Sequence, residues 1–421
     1  MSSFQSTRRE ILGLAAICAL GAWPASAETA SQPDEAPGTS NQADFDRVWA
    51  LVRDRFYDSR FNGLDWQAER DRFRPQTASA LSREEAAAVI NAMLTKLGAS
   101  HTHFYTPDDP AFYQLADIFV FALGRRGLER IFPRGDVSYP GIGLFTEADS
   151  QGRTFVTGAI EGEPAHAAGV LLGDEIVSVD DRPFRPVDSF RGKVGQPVAL
   201  QIRRASGATP IAISVSPADL HPNDMFLRGL KASARVIASG GAKIGYVHVW
   251  SYASPRIQSA LEDLIAEGPL KDADALVWDL RGGWGGAQPQ YLDLFNPHAP
   301  TMRITDRNGA TALIDVKWRK PVAMLINEGT RSGKEVLAYG FKEYRLGELI
   351  GHRTEGAVLA ATAFLIGDDG LLLLAVEDVL VDGQRLEGVG VTPTIEVPFD
   401  WRYAAGGDPQ LDRAVQVLAG A

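Results

Sequence analysis

Residues 322–342, VAMLINEGTRSGKEVLAYGFK, pass from an apolar run through a small-residue turn into a helix-like segment, with Ser332 at the turn. The neighbouring segments continue the alternation. KIGYVHVW (243–250) reads as strand, SPRIQSALEDLIAEG (254–268) as helix, ALVWDLRGG (275–283) as strand and turn, and PVAMLINEG (321–329) as strand again. That order predicts an α/β unit whose functional turns follow the strand ends. A serine at such a turn has two physical roles. It can cap the helix, with Glu335 three residues on completing a capping box, and this is the commoner use. Or it can be a nucleophile, its hydroxyl exposed by the turn and helix N-terminal N–H groups aimed at the charge that develops.

The whole chain bounds what that serine can serve. At 421 residues it is too long for one ordinary core and predicts two or three domains. Apolar and charged fractions of 45% and 23% are ordinary for a globular protein. A net charge of −11 excludes the basic footprint that nucleic-acid binding needs. The N-terminus carries Arg8 and Arg9, an apolar run from Ile11 to Ala22, and Ala25-Ser26-Ala27, which reads as a signal peptide over 1–27. Thr7 to Leu12 also resembles a twin-arginine export signal. The expected mature chain is periplasmic or secreted, with no stable membrane insertion, since no later run has membrane length. The single cysteine, Cys18, lies inside that leader, so the mature chain is expected to use neither disulfides nor a thiol nucleophile.

Residues 28–42, rich in Pro, Ser, Thr and Gly, read as a linker. Over 43–137 a helical pattern dominates: Phe45, Val48, Trp49, Val52 and Phe56 recur at helical spacing, and a second run spans Leu81 to Leu97. Ser82 and Glu85 form a capping box for it, and Lys96-Leu97-Gly98 stops it. Ala99 to Phe104, ASHTHF, follows as a loop or short strand. Residues 138–217 change character, with short apolar alternations and many glycines. The block YPGIGLFTEADSQGRTFVTGAIEGEPAHAAGVLLGDEIVSVDDRPF (139–184) resembles a PDZ domain over nearly its whole length. The resemblance implies that Gly141, Ile142, Gly143 and Leu144 cradle a peptide carboxylate while an adjacent strand edge takes the peptide as an extra strand. The remaining 218–421 form the α/β unit, with 371–381, LLLLAVEDVLV, as a buried strand.

Four further stretches complete a larger pattern: ALVWDLRGGWGGAQ (275–288), LINEGTRSGKEV (325–336), ELIGHRTEGAV (348–358) and RLEGVGVTPTIEV (385–397). In that order and spacing, with the N-terminal helices and the PDZ-like block, they resemble the tail-specific, or C-terminal processing, protease family, which includes the tricorn protease core. The resemblance implies a multidomain α+β fold: helical N-terminal region, PDZ-like β domain and α/β core of the crotonase/ClpP-like kind. It also implies protein or peptide substrates, and neither cofactor nor metal; it fixes no oligomeric state.

Many members of that family pair the serine with a lysine from a downstream TFGKG-like motif. Here the motif reads RTEGAV and Ala357 stands at the lysine position. Lys334, two residues from Ser332, is expected to point elsewhere, and Lys342 to be solvated. Tricorn-like members instead use a histidine from an N-terminal Ser-His element, helped by that serine and by a C-terminal glutamate. The matching positions are Ser100, His101 and Glu387. His101 would take the Ser332 proton as general base, with Ser100 and Glu387 holding its tautomer. The N–H groups of Gly333 and Gly285 would form the oxyanion hole, with Gly283 as the alternative because Trp284 departs from the usual pattern. Ala99 and the basic pair Arg331 and Lys334 are further departures. Two other readings follow from the same residues: an inactive relative that binds peptides or an apolar ligand, and a zinc site on the His101-x-His103 spacing, for which no third ligand cluster stands out.

Overall fold

The computed structural model describes residues 37–133, 135–315 and 317–420; the leader and most of the linker lie outside them. The linker read through residue 42 is overtaken by the helix Pro37–Arg55. Its stripe of Phe45, Val48 and Val52 is buried, as is Phe56 just past its end, and the helix extends back from that anchor.

A six-stranded sheet forms the centre. Arg235–Ser239 runs antiparallel to Ala242–His248, and Ala275–Asp279, Val322–Ile326, Glu348–Gly351 and Ile395–Glu396 follow in parallel. Ala275–Asp279 and Val322–Ile326 are buried at every position, as parallel strands covered on both faces must be. Trp278, Met324, Leu337 and Phe341 fill one face beneath the helices Pro255–Ala266 and Gly333–Glu343. On the other face Ala414 and Leu418 of Pro409–Ala419 pack on Val277, Leu325 and Ile350. Two adjacent strands therefore release the loops 280–287 and 327–332 side by side at their carboxyl ends, where open α/β sheets bind ligands.

A second, three-stranded antiparallel sheet brings distant chain segments to that edge. His103–Tyr105 pairs with Gly370–Glu377, which pairs with Ala360–Ile366. Phe104 lies opposite Leu372, and both are buried with Phe45, Ile90 and Met93. The helical region expected to end at residue 137 is therefore not a separate unit; it completes its core with residues 359–375. The strand expected over 371–381 runs Gly370–Glu377 and then breaks. Ser82 caps the helix Arg83–Thr95, accepting from Glu85 N–H at 3.1 Å, but Glu85 reaches back to Leu81 N–H at 2.7 Å, one residue beyond the expected box.

Between these parts a five-stranded antiparallel sheet, from Leu144–Ala148 to Ile211–Val215, encloses its own cluster of Val156, Ile176, Leu200 and Val215. Tyr139–Gly141 does not join it and pairs instead with Ala218–Leu220, so a boundary at 217 cuts through a strand pair. Glu161 ties this sheet to the centre: Trp250 Nε1 donates to it at 2.6 Å and His248 Nδ1 lies at 3.2 Å. Phe145 stacks on Trp250 at 5.4 Å. Among the described residues no helix is long and apolar enough to cross a membrane.

Candidate active site

Ser332 sits between Val322–Ile326 and Gly333–Glu343 with φ 57° and ψ −133°, a conformation that costs a side-chain-bearing residue about 1–3 kcal/mol. Its N–H donates to Ala357 O at 2.8 Å and reaches Glu335 Oε2 at 3.3 Å. The buried Glu335 carboxylate also accepts from Thr354 Oγ1 (2.5 Å), Gly356 N (2.7 Å) and Ala357 N (2.7 Å). Desolvation still raises its pKa against these hydrogen bonds. Ser332 and Glu335 thus form the expected capping box at the start of this helix, and Glu335 N–H also donates to the Ser332 carbonyl at 2.8 Å.

Gly285 lies over this hydroxyl. A Cβ there would collide with Ser332 Cβ and stand 2.9 Å from Oγ and 3.0 Å from Gly333 N, so the position admits only glycine. Among the described residues neither Gly285 N–H nor Gly333 N–H donates to a backbone carbonyl outside regular helix and strand bonding. Gly283 instead packs against the Trp250 carbonyl. Trp284 N–H donates to that carbonyl at 2.7 Å, and Tyr252 N–H donates to Gly285 O at 2.8 Å, which pins the loop.

The second half of the site is a hydrogen-bond chain. Glu387 Oε1 accepts from Ser100 N–H at 2.9 Å, and Oε2 accepts from Ser100 Oγ at 2.8 Å, Val358 N at 2.8 Å and Leu359 N at 3.2 Å. Ser100 Oγ lies 3.0 Å from His101 Nδ1. A hydroxyl has one proton, and here it goes to the carboxylate. The oxygen must then accept from Nδ1–H, which leaves Nε2 as the bare acceptor. His101 also has positive φ, 51°. Desolvation, then the Arg331 charge, push its pKa down to about 3, so the imidazole is neutral at neutral pH although the residue keeps some solvent exposure. Among the described residues no hydrogen bond joins His101 to Ser332 Oγ.

Arg331 contributes the charge between the halves. Its guanidinium lies 5.2 Å from the Trp284 ring centroid and its Nε 3.4 Å from Glu355 Oε2. His103 turns to Asn91, Nε2 to Nδ2 3.2 Å, and packs at a tilt against the Tyr105 ring. Among the described residues no group of three or more His, Cys, Asp or Glu is placed to hold a metal ion. Lys342 Nζ bonds Thr392 O at 2.8 Å on the exposed helix face. Ile142, Gly143 and Leu144 line a small cavity with Pro110, Phe184, Pro186 and Phe190.

Lys334, which the sequence reading expected only to point elsewhere, is wholly buried. A signal for it existed: Leu337, Ala338 and Phe341, three, four and seven residues on, form the buried stripe of the same helix.

Residues 243–397 match the sequence model of Peptidase family S41, and residues 37–95 match that of the Tricorn protease C1 domain. Carboxyl-terminal-processing peptidase 3, chloroplastic, of Arabidopsis thaliana is 27% identical over 380 residues, covering 85% of this chain and 69% of the plant protein. Putative tricorn protease homolog 2 of Streptomyces coelicolor is 27% identical over 395 residues, 89% of this chain but 32% of that much longer protein. The solved photosystem II D1 C-terminal processing protease superposes with a TM-score of 0.51 at 22% identity, covering 90% of this chain and 97% of its own, and shows a shared fold. These matches class the chain as a serine-type peptidase, a hydrolase of peptide bonds.

Proposed function

We propose that this protein is an exported endopeptidase in which Ser332 is the nucleophile and His101 the general base. Ser332 Oγ attacks the scissile carbonyl carbon while its proton passes to His101 Nε2. The C–N bond then breaks, the histidine returns the proton to the leaving amine, and water hydrolyses the acyl-enzyme by the same route reversed. Ser100 and Glu387 hold the ring and stabilise the imidazolium, and the Gly285 and Gly333 N–H groups receive the oxyanion. The block 138–217 acts as a PDZ-like module, with Gly141 to Leu144 receiving substrate C-termini. The residues of 1–27 serve as the export leader, for delivery to the periplasm or outside the cell.

The observation that carries this reading is the unbroken chain Glu387–Ser100–His101, in which a carboxylate fixes the histidine tautomer that a serine nucleophile requires. The test is hydrolysis of unfolded protein by the purified mature chain, with mass-spectrometric detection of a fluorophosphonate adduct on Ser332. Activity that survives both Ser332→Ala and His101→Ala defeats it. One observation favours a second reading, a non-hydrolytic peptide binder: the gap in hydrogen bonding between His101 and Ser332. Peptide binding unaffected by Ser332→Ala, with no substrate turned over, would establish that alternative.

A further inference from the structure

Lys334 is the second residue of the helix Gly333–Glu343, and none of it reaches solvent. Three effects oppose a cation there. Its hydration is lost; it lies at the positive end of a helix dipole; and among the described residues no carboxylate comes within ion-pair distance of it. Its Nζ meets three backbone carbonyls instead: Gly282 O at 2.8 Å, Trp250 O at 3.1 Å and Leu280 O at 3.4 Å. A methionine would fill the same space without the electrostatic cost. A residue that breaks several local rules at once marks a functional position.

The three carbonyls belong to the backbone that shapes the oxyanion loop. Leu280 O and Gly282 O bracket Arg281 where the chain leaves Ala275–Asp279, and Trp250 O is also the acceptor for Trp284 N–H. Three residues beyond Gly282, Gly285 lies on Ser332. One ammonium group therefore holds both walls of the loop.

We propose that Lys334 is a positioning residue of the oxyanion hole: it fixes the Leu280, Gly282 and Trp250 carbonyls so that Gly285 and Gly333 N–H converge on the developing oxyanion, and its charge strengthens the field there. This rests on the serine-peptidase reading given above. Preorganised donors and charges of this kind stabilise a transition state without reorganisation during the reaction. The arrangement also offsets a weak base, since a neutral histidine beside Arg331 accepts a proton with difficulty.

The proposal carries a pH signature. Desolvation brings the ammonium down to about 7, with the Asp279 charge opposing it. The surrounding charged groups are otherwise engaged. Asp279 is shared with Arg281, which also binds Asp408; His248 faces Glu161; and Glu335 turns to Thr354, Gly356 and Ala357. As pH rises through about 7 the lysine charge is lost, and activity falls where a histidine-dependent enzyme would otherwise reach a plateau.

The test compares kcat, KM and pH profile on fluorescently labelled unfolded casein for wild type, Lys334→Met and Lys334→Gln, together with fluorophosphonate labelling rates and Tm. The expected result for K334M is a kcat about 10²-fold lower with KM little changed, the scale of losing an oxyanion-hole donor. K334Q, which keeps a donor without the charge, should recover part of kcat and lose the alkaline limb. Wild-type kcat in K334M, or a K334Q alkaline limb identical to wild type, overturns the proposal. If K334M fails to fold, K334Q and the wild-type limb decide. A wild type that neither hydrolyses nor labels defeats the peptidase reading and this inference together; an active wild type with unchanged variants defeats only the inference.

Discussion

On the histidine side of the cleft, Glu387 collects four hydrogen bonds and passes their constraint through Ser100 to the ring. On the serine side the turn is held by its backbone, by Glu335 and by Gly285 packed over it. The proposed base is oriented by a directional polar network, the proposed nucleophile by sterics and strain. Breaking the first should disturb protonation and stability together. Changing the second should disturb chemistry while leaving the fold intact.

The largest effect is expected at Ser332. Ser332→Ala should lower kcat roughly 10⁶-fold, the scale for removing a serine nucleophile, and abolish phosphonate labelling, with Tm within about 2 °C in differential scanning calorimetry. His101→Ala should cost about 10²–10⁴-fold in kcat. In the wild type, kcat/KM should hold on the acid side until pH falls towards about 3, where His101 binds a proton and cannot accept another. The same depression has a sign for stability. Between 6.5 and about 3 the unfolded chain binds more protons at this residue, so folding loses stability as pH falls through that window. His101→Gln should make the decline shallower in urea titrations across those pH values.

Glu387→Gln sharpens the comparison from the other side. An amide cannot accept four hydrogen bonds on its two polar atoms as the carboxylate does, so a buried donor goes unpaired. Stability should fall by about 1–3 kcal/mol, and kcat by at least about tenfold as the histidine loses its anchor. The smallest effect separates strain from chemistry. Ser332→Gly should be as inactive as Ser332→Ala but more stable by about 1 kcal/mol, because glycine accepts φ 57° without cost. Equal urea midpoints for these two variants would remove the claim that the turn stores strain.

The sequence alone resolved the parts whose information is local. Alternating strand and helix between Lys243 and Lys342 predicted the central α/β layers, because buried parallel strands and amphipathic helices carry their own periodicities. Ser332, Ser100, His101 and Glu387 were named through a family resemblance; nothing in the spacing of residues 287 apart predicts a hydrogen bond between them. The three-stranded sheet explains the difficulty. Its short strand His103–Tyr105 has no pattern of its own and is specified by Leu371, Leu372 and Leu373, far along the chain. For Lys334 the helix position shows only that its side chain points elsewhere than Ser332, and packing alone reveals that its end meets three carbonyls. The boundaries at 137 and 217 failed where strands pair across them, as composition shifts do not register pairing.

The pairing of His103–Tyr105 with Gly370–Glu377 also bears on how such an enzyme is made. Ser100 and His101 leave the ribosome early, whereas Glu387 and both later strands of their sheet emerge almost at the end of synthesis. A nascent chain therefore lacks an oriented base while Ser332 is already in existence. On the proposed assignment, completion of the fold is the step that orients the base, because the last-made strands and Glu387 are what hold Ser100 and His101 in place.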